Sequence, residues 1–176
     1  MQKQIKIAVG YKAGSGKDTF CDYLLQKLKK TSCKIGFANP IYDILFYTQR
    51  KCNFPTEKDR QFLQMIGDWG RSKNKNIWIE LALEKSKGYE LVLLSDLRFV
   101  NEFYSLKNNG WFNVKIINDN ISSSRIGNGS NNHSSETELE IIHDASWDYI
   151  IYNNGNIQEF YEKIDKMLIE KFNIFL

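Results

Sequence analysis

With 176 residues and 20.6 kDa, the chain has room for one domain with a real core, on a prior of about 150 residues per domain. Its 42% hydrophobic and 26% charged residues are near globular averages, and 2 prolines and 11 glycines exclude collagen, solenoid and linker-rich chains. A net charge of +3 suits a protein that handles anions but is too small for a nucleic-acid groove.

No apolar run approaches the roughly 20 residues that span a bilayer, and residues 1–9 lack an apolar signal core. Cys21, Cys33 and Cys52 are an odd number without a CxxC pair, which fits reduced thiols in a cytosol-like compartment. The expectation is therefore a cytoplasmic protein that engages neither nucleic acid nor membrane. Only five of its cations are arginines: Arg50, Arg60, Arg71, Arg98 and Arg125. Arginine's planar fork suits bidentate phosphate contacts, so each is a candidate in its own right.

In chain order, an apolar β-branched run predicts a strand over 5–9, a glycine-rich loop over 10–16, and a helix carrying Phe20, Leu24 and Leu28 on one face. Further strands are expected over 34–38, 91–95, 112–117 and 149–152. Helical spacing predicts helices over 41–50, 57–67, 76–87, 101–107 and 157–172. Alternating strands and helices imply right-handed crossovers. The expected fold is thus α/β and three-layered, a mostly parallel sheet of about five strands with helices on both faces. Residues 118–135 are rich in Asn, Ser and Gly, the composition of a lid or inserted loop.

The segment Tyr11-Lys12-Ala13-Gly14-Ser15-Gly16-Lys17-Asp18-Thr19 carries the Gly-Lys core of a P-loop between a predicted strand and helix. Small residues let backbone N–H groups converge on an anion, the helix start adds partial positive charge, and Lys17 can reach phosphate oxygens. Two positions depart from the Gly-x-x-x-x-Gly-Lys-[Ser/Thr] pattern: Tyr11 replaces the first glycine and Asp18 the magnesium-binding hydroxyl, with Thr19 offering a hydroxyl next door. A switch GTPase fits worse, because Thr56-Glu57-Lys58-Asp59 has the guanine-reading residues in the wrong order.

The run Leu91-Val92-Leu93-Leu94-Ser95-Asp96 is an apolar strand ending in an acid, from which a carboxylate can serve magnesium or orient the attacking oxygen. Arg98 follows two residues on, and Glu102 is either a site acid or a solvated first-turn acid.

Four segments together resemble the deoxynucleoside monophosphate kinases of phages and large DNA viruses. They are Gly14-Ser15-Gly16-Lys17-Asp18-Thr19, Leu63-Gln64-Met65-Ile66-Gly67-Asp68-Trp69-Gly70-Arg71, Asp96-Leu97-Arg98-Phe99-Val100-Asn101-Glu102 and His133-Ser134-Ser135-Glu136. The closing Asp148-Tyr149-Ile150-Ile151-Tyr152-Asn153-Asn154-Gly155 is similar to that family too.

The resemblance implies a P-loop kinase fold over residues 1–176, with a lid at about 118–142 and an acceptor-binding helical segment at about 39–88. It implies transfer of the γ-phosphoryl group of ATP to a deoxynucleoside monophosphate with magnesium, dTMP and dGMP being the acceptors in view, and a homodimer. Ala13 to Thr19 would hold ATP; Lys17, Asp96, Arg98 and Arg125 would act at the transferring group; Asp18, Thr19 and Asp96 would serve magnesium. The acceptor would meet Arg60, Gln64, Trp69, Arg71, Arg98, Glu102, His133 and Glu136.

From spacing alone, Arg60, Gln64 and Arg71 share a face of a continuous helix, whereas Gly67 is expected to end that helix early. Phe62 and Met65 read as core, and Trp69 equally as core or base-stacking. His133 and Glu136 compete with a helix-capping role for the segment around Ser134 and Ser135. His143 reads as an ordinary partly buried histidine. The alternatives are a dephospho-coenzyme A kinase-like or phosphomevalonate kinase-like enzyme, and a nucleotide-binding accessory protein without turnover.

Overall fold

The computed structural model describes residues 4–120 and 137–175. Five strands, β1 (Ile5–Gly10), β2 (Ser32–Ile35), β3 (Leu91–Leu97), β4 (Phe112–Ile117) and β5 (Tyr149–Tyr152), form one sheet in the order β2-β3-β1-β4-β5. β1 pairs in parallel with β3 and β4, and β4 with β5. Such pairings need crossovers, and helices supply them: α1 (Lys17–Lys27), α2 (Asn39–Lys51), α3 (Arg60–Lys73), α4 (Ile77–Lys85), α5 (Val100–Asn108) and α6 (Ile157–Phe172). The chain folds as two compact units, residues 1–34 with 89–176 and residues 35–88.

In the first unit the strands read as near-continuous apolar runs because both faces are covered. On one face Ile7, Val9, Leu91, Leu93, Val114 and Ile116 pack with Phe20 and Leu24 of α1 and Phe160, Ile164 and Leu168 of α6. On the other, Asn113 of β4 donates from Nδ2 to the Phe103 carbonyl of α5 (3.1 Å). The Phe103 ring stands edge-on to Trp147, 4.7 Å between centroids. The expected layers are therefore present, helix on sheet on helix. β2 differs from the expected 34–38: it starts at Ser32, because residues 36–38 turn directly into α2, which Pro40 opens in its first turn.

The second unit holds α2, α3 and α4. Asp59 caps α3, accepting the Phe62 N–H (3.0 Å). The helix does not stop at Gly67 as its sequence suggests but runs to Lys73. Gly67 and Gly70 are both buried; a Cβ at Gly70 would overlap the Trp78 indole, and the Gly67 carbonyl accepts Trp78 Nε1–H (3.0 Å). Gly70 lets α3 and α4 approach closely, and that packing outweighs the helix-weakening cost of roughly 1 kcal/mol for a glycine.

Candidate active site

The link between β1 and α1 is where the backbone departs furthest from ordinary geometry. Tyr11 (φ 98°), Gly14 (φ 78°) and Gly16 (φ 104°) all take left-handed conformations. Gly16 has a second reason to be glycine: a Cβ there would meet Asn153 Nδ2 at 2.6 Å. That amide, just beyond β5, donates to the Ser15 carbonyl (2.9 Å) and pins the loop from a strand end two places along the sheet. Residue 11 keeps the glycine-like conformation of the pattern although its side chain is a tyrosine.

Lys17 is only 8% exposed, and its Nζ donates back to the carbonyls of Tyr11 (3.2 Å) and Lys12. Ser15 is 1% exposed, and its Oγ has no hydrogen-bond partner among the described residues. No side chain caps the start of α1, where the positive end of the helix dipole favours an anion.

The carboxyl end of β3 lies beside this loop, since Gly10 and Leu97 are register partners. Ser95 Oγ donates to Asp18 Oδ1 (3.0 Å). Lys34 Nζ reaches the same oxygen (3.0 Å) and Asp22 Oδ1 (2.8 Å). Burial alone would raise the Asp18 pKa, but the hydrogen bonds from Lys34 and Ser95 and the charges of Lys34 and Lys17 hold it below the usual value. Asp96 lies within β3 and Arg98 just beyond it, both half-buried.

Glu102 is 4% exposed, so it is a buried first-turn acid rather than a solvated one. Its Oε2 accepts the backbone N–H groups of Arg98 (2.9 Å) and Phe99 (3.0 Å). Glu138 Oε1 takes the next N–H, that of Val100 (3.1 Å). Glu102 thus holds the backbone that carries Arg98.

Arg60, Gln64, Trp69 and Arg71 all belong to the second unit and to the one continuous helix α3. Trp69 and Met65 are exposed, against the expectation of a core Met65; Gln64 and Phe62 are half-buried. The α3 face turned inward is instead lined by Gly67 and Gly70. Arg71 pairs with Asp68 (2.7 Å).

Arg125, His133 and Glu136 lie outside the described residues. Ser134 and Ser135, weighed as helix caps, lie outside them too; just after, Glu138–Ile141 forms a 3-10 turn. His143 is exposed rather than partly buried, and its Nδ1 accepts the Ala145 N–H (3.2 Å). Among the described residues no three His, Cys, Asp or Glu side chains gather around a point.

Lys34, Ser95 and Asn153 escaped the sequence reading. Ser95 and Asn153 had a signal, because each stands at the end of a predicted strand on the same sheet edge as the glycine loop.

A protein of Acanthamoeba polyphaga mimivirus, provisionally named a deoxynucleotide monophosphate kinase, is 30% identical over 183 residues, covering 86% of this chain and 89% of that protein. The chain belongs to the viral deoxynucleotide monophosphate kinase-like family. Another relative, the uncharacterized protein ORF77 of Ictalurid herpesvirus 1 (strain Auburn), is 31% identical over 175 residues, 95% of this chain and 72% of that protein. No protein-family model matches the chain. Among solved structures, a provisionally named kinase from Chloroflexus aurantiacus J-10-fl aligns with a TM-score of 0.53 at 13% identity, covering 98% of both chains. That likeness extends the fold of this viral kinase-like family to a bacterial protein.

Proposed function

We propose that the protein transfers the γ-phosphoryl group of ATP to a deoxynucleoside 5′-monophosphate, giving the diphosphate and ADP, with dTMP and dGMP as the foremost acceptors. The observation that carries this reading is the uncapped start of α1 behind a loop with left-handed residues at 11, 14 and 16 and a buried lysine at 17, in a chain akin to the mimivirus protein. The unpartnered, buried Ser15 Oγ supports it, because a hydroxyl without a partner inside a protein normally costs stability that a bound anion would return.

In-line phosphoryl transfer asks for positioning and charge neutralisation more than covalent chemistry. Ala13 to Lys17 cradle the donor phosphates in this reading, and Arg98 with Arg125 neutralise the transferring and acceptor phosphates. Glu102 keeps the Arg98 backbone fixed, so the guanidinium starts from a rigid root. Arg60, Gln64, Trp69 and Arg71 on α3, with His133 and Glu136, are assigned to the acceptor.

Magnesium fits the oxygen donors of Thr19, Asp18 and Asp96. This ion keeps waters and phosphate oxygens and needs only one or two protein groups, so the absence of a three-ligand cage among the described residues suits it. Bound there, it would supply charge neutralisation at the donor phosphates.

The deciding experiment is a coupled ADP-release assay of the purified protein against all nucleoside and deoxynucleoside monophosphates, dephospho-coenzyme A and phosphomevalonate. ADP release dependent on a deoxynucleoside monophosphate is expected. Turnover with either of the other two acceptors alone would reassign the substrate, and ATP binding without any turnover would make the protein a nucleotide-binding accessory.

A further inference from the structure

Lys115 of β4 is a cation in a poor place for one. It sits in a strand of the central sheet, register partner of Gly10, only 6% exposed, with the fully buried Val114 and Ile116 on either side. Burying an ammonium is strongly unfavourable unless it is paired. Two groups meet it: Asp144 Oδ1, 2.7 Å from its Nζ, and the face of Tyr11, whose ring centroid lies 4.2 Å away. A cation so close to an aromatic face is attracted by the ring quadrupole, the more so when desolvated.

Tyr11 is the residue that stands where the phosphate-loop pattern has glycine. A left-handed conformation is strained for a non-glycine residue, and for a bulky residue it persists only when its surroundings over-determine it. The ring seated on Lys115 is such a surrounding. The Tyr11 carbonyl accepts from Lys17 Nζ (3.2 Å), so the conformation of residue 11 also sets where Lys17 begins its reach.

We propose that Lys115, anchored by Asp144, is a positioning residue for the donor-phosphate loop: its ammonium seats the Tyr11 ring and so keeps residue 11 in the left-handed conformation that glycine would take unaided. This inference rests on the reading of that loop as the ATP site. In this chain a cation–aromatic clamp replaces the conformational freedom of a glycine.

The test is a double-mutant cycle read as separate KM values for ATP and for the acceptor, with wild type and Lys17→Ala as references. Lys115→Met keeps the stem and removes the charge, leaving Asp144 at the surface. It is expected to raise the KM for ATP about 10-fold while the acceptor KM stays within about twofold. Tyr11→Ala should do the same, and Tyr11→Phe, which keeps the aromatic face, should retain the dependence on Lys115. In a Tyr11→Gly background, adding Lys115→Met should change the KM for ATP by less than about twofold, because glycine needs no clamp.

Equal losses from Lys115→Met in the wild-type and Tyr11→Gly backgrounds, or a fall in melting temperature with unchanged KM for ATP, would overturn the clamp and leave Lys115 a packing residue. Wild-type protein that neither binds nor uses ATP would overturn the donor-site reading itself. That failure is distinct because it would already be seen without any variant.

Discussion

The glycine loop and helix α3 are held in different ways. Around residues 11–17 most of the fixing comes from far along the chain: Asn153 holds the Ser15 carbonyl, Lys115 holds the Tyr11 ring, and Lys12 pairs with Glu140 (2.8 Å). On α3, Arg71 pairs with Asp68 only three residues away, and Met65 and Trp69 stand in the open. One region is over-determined, whereas the outer face of the other can change its side chains without disturbing the fold. On the proposed reading this division follows the ligands. Phosphates are alike in every nucleotide and reward a rigid cradle, whereas bases differ and call for exchangeable side chains on a stable helix.

Substitutions in the two regions should therefore fail differently. The largest effect is expected from Lys17→Ala, which should lower turnover by about 10²-fold or more, roughly 3 kcal/mol of transition-state stabilisation, with circular dichroism unchanged. Near-normal turnover would end the comparison by removing the loop from the site. Gly16→Ala should come next, combining strain from the left-handed backbone with the overlap on Asn153; a loss of about 2–3 kcal/mol in urea unfolding is expected together with the loss of turnover.

On the other side, Gln64→Ala and Trp69→Ala should raise the KM for the acceptor about 10-fold, leave the KM for ATP alone, and barely move the melting temperature. A shared rise in both KM values would show that α3 is not separable from the donor loop.

The smallest effect concerns acid. Burial pushes the Asp18 pKa upward, yet Lys34, Ser95 and the charge of Lys17 hold it below the ordinary value in the folded state. The stability this carboxylate contributes is therefore present above the unfolded pKa of about 4 and is lost as pH falls through the lower folded value. Thermal melts of wild type and Asp18→Asn should differ at neutral pH and converge below about pH 4. A gap that persists in acid would mean that the bonds from Lys34 and Ser95 depend on shape rather than charge.

Much of this was legible in the chain. Leu91 to Leu94 announce a strand buried on both faces because four successive apolar residues allow no solvent side, and the loop before Lys17 announces itself by glycines whose conformations the structure requires. The end of α3 was not legible, because a glycine that lets a tryptophan from another helix approach is identical in sequence to one that stops a helix. Glu102 was read for its charge, yet its position at the third residue of α5 decides its contacts. Lys115 gave no local signal at all, since a lysine two residues before the end of a strand normally marks solvent, and only the fold brings Tyr11 and Asp144 to it.

β1 and β3 each run out at the same edge of the sheet, and each is followed by a helix whose opening N–H groups could welcome negative charge. Leading into α5, the N–H groups of Arg98, Phe99 and Val100 are already taken by Glu102 and Glu138, whereas at α1 no side chain caps the start. The protein's own carboxylates thus occupy the entry to α5. On the proposed reading, a phosphate at this edge meets the backbone at the start of α1 rather than at the entry to α5, so a second phosphate beside it is met by side chains such as that of Arg98.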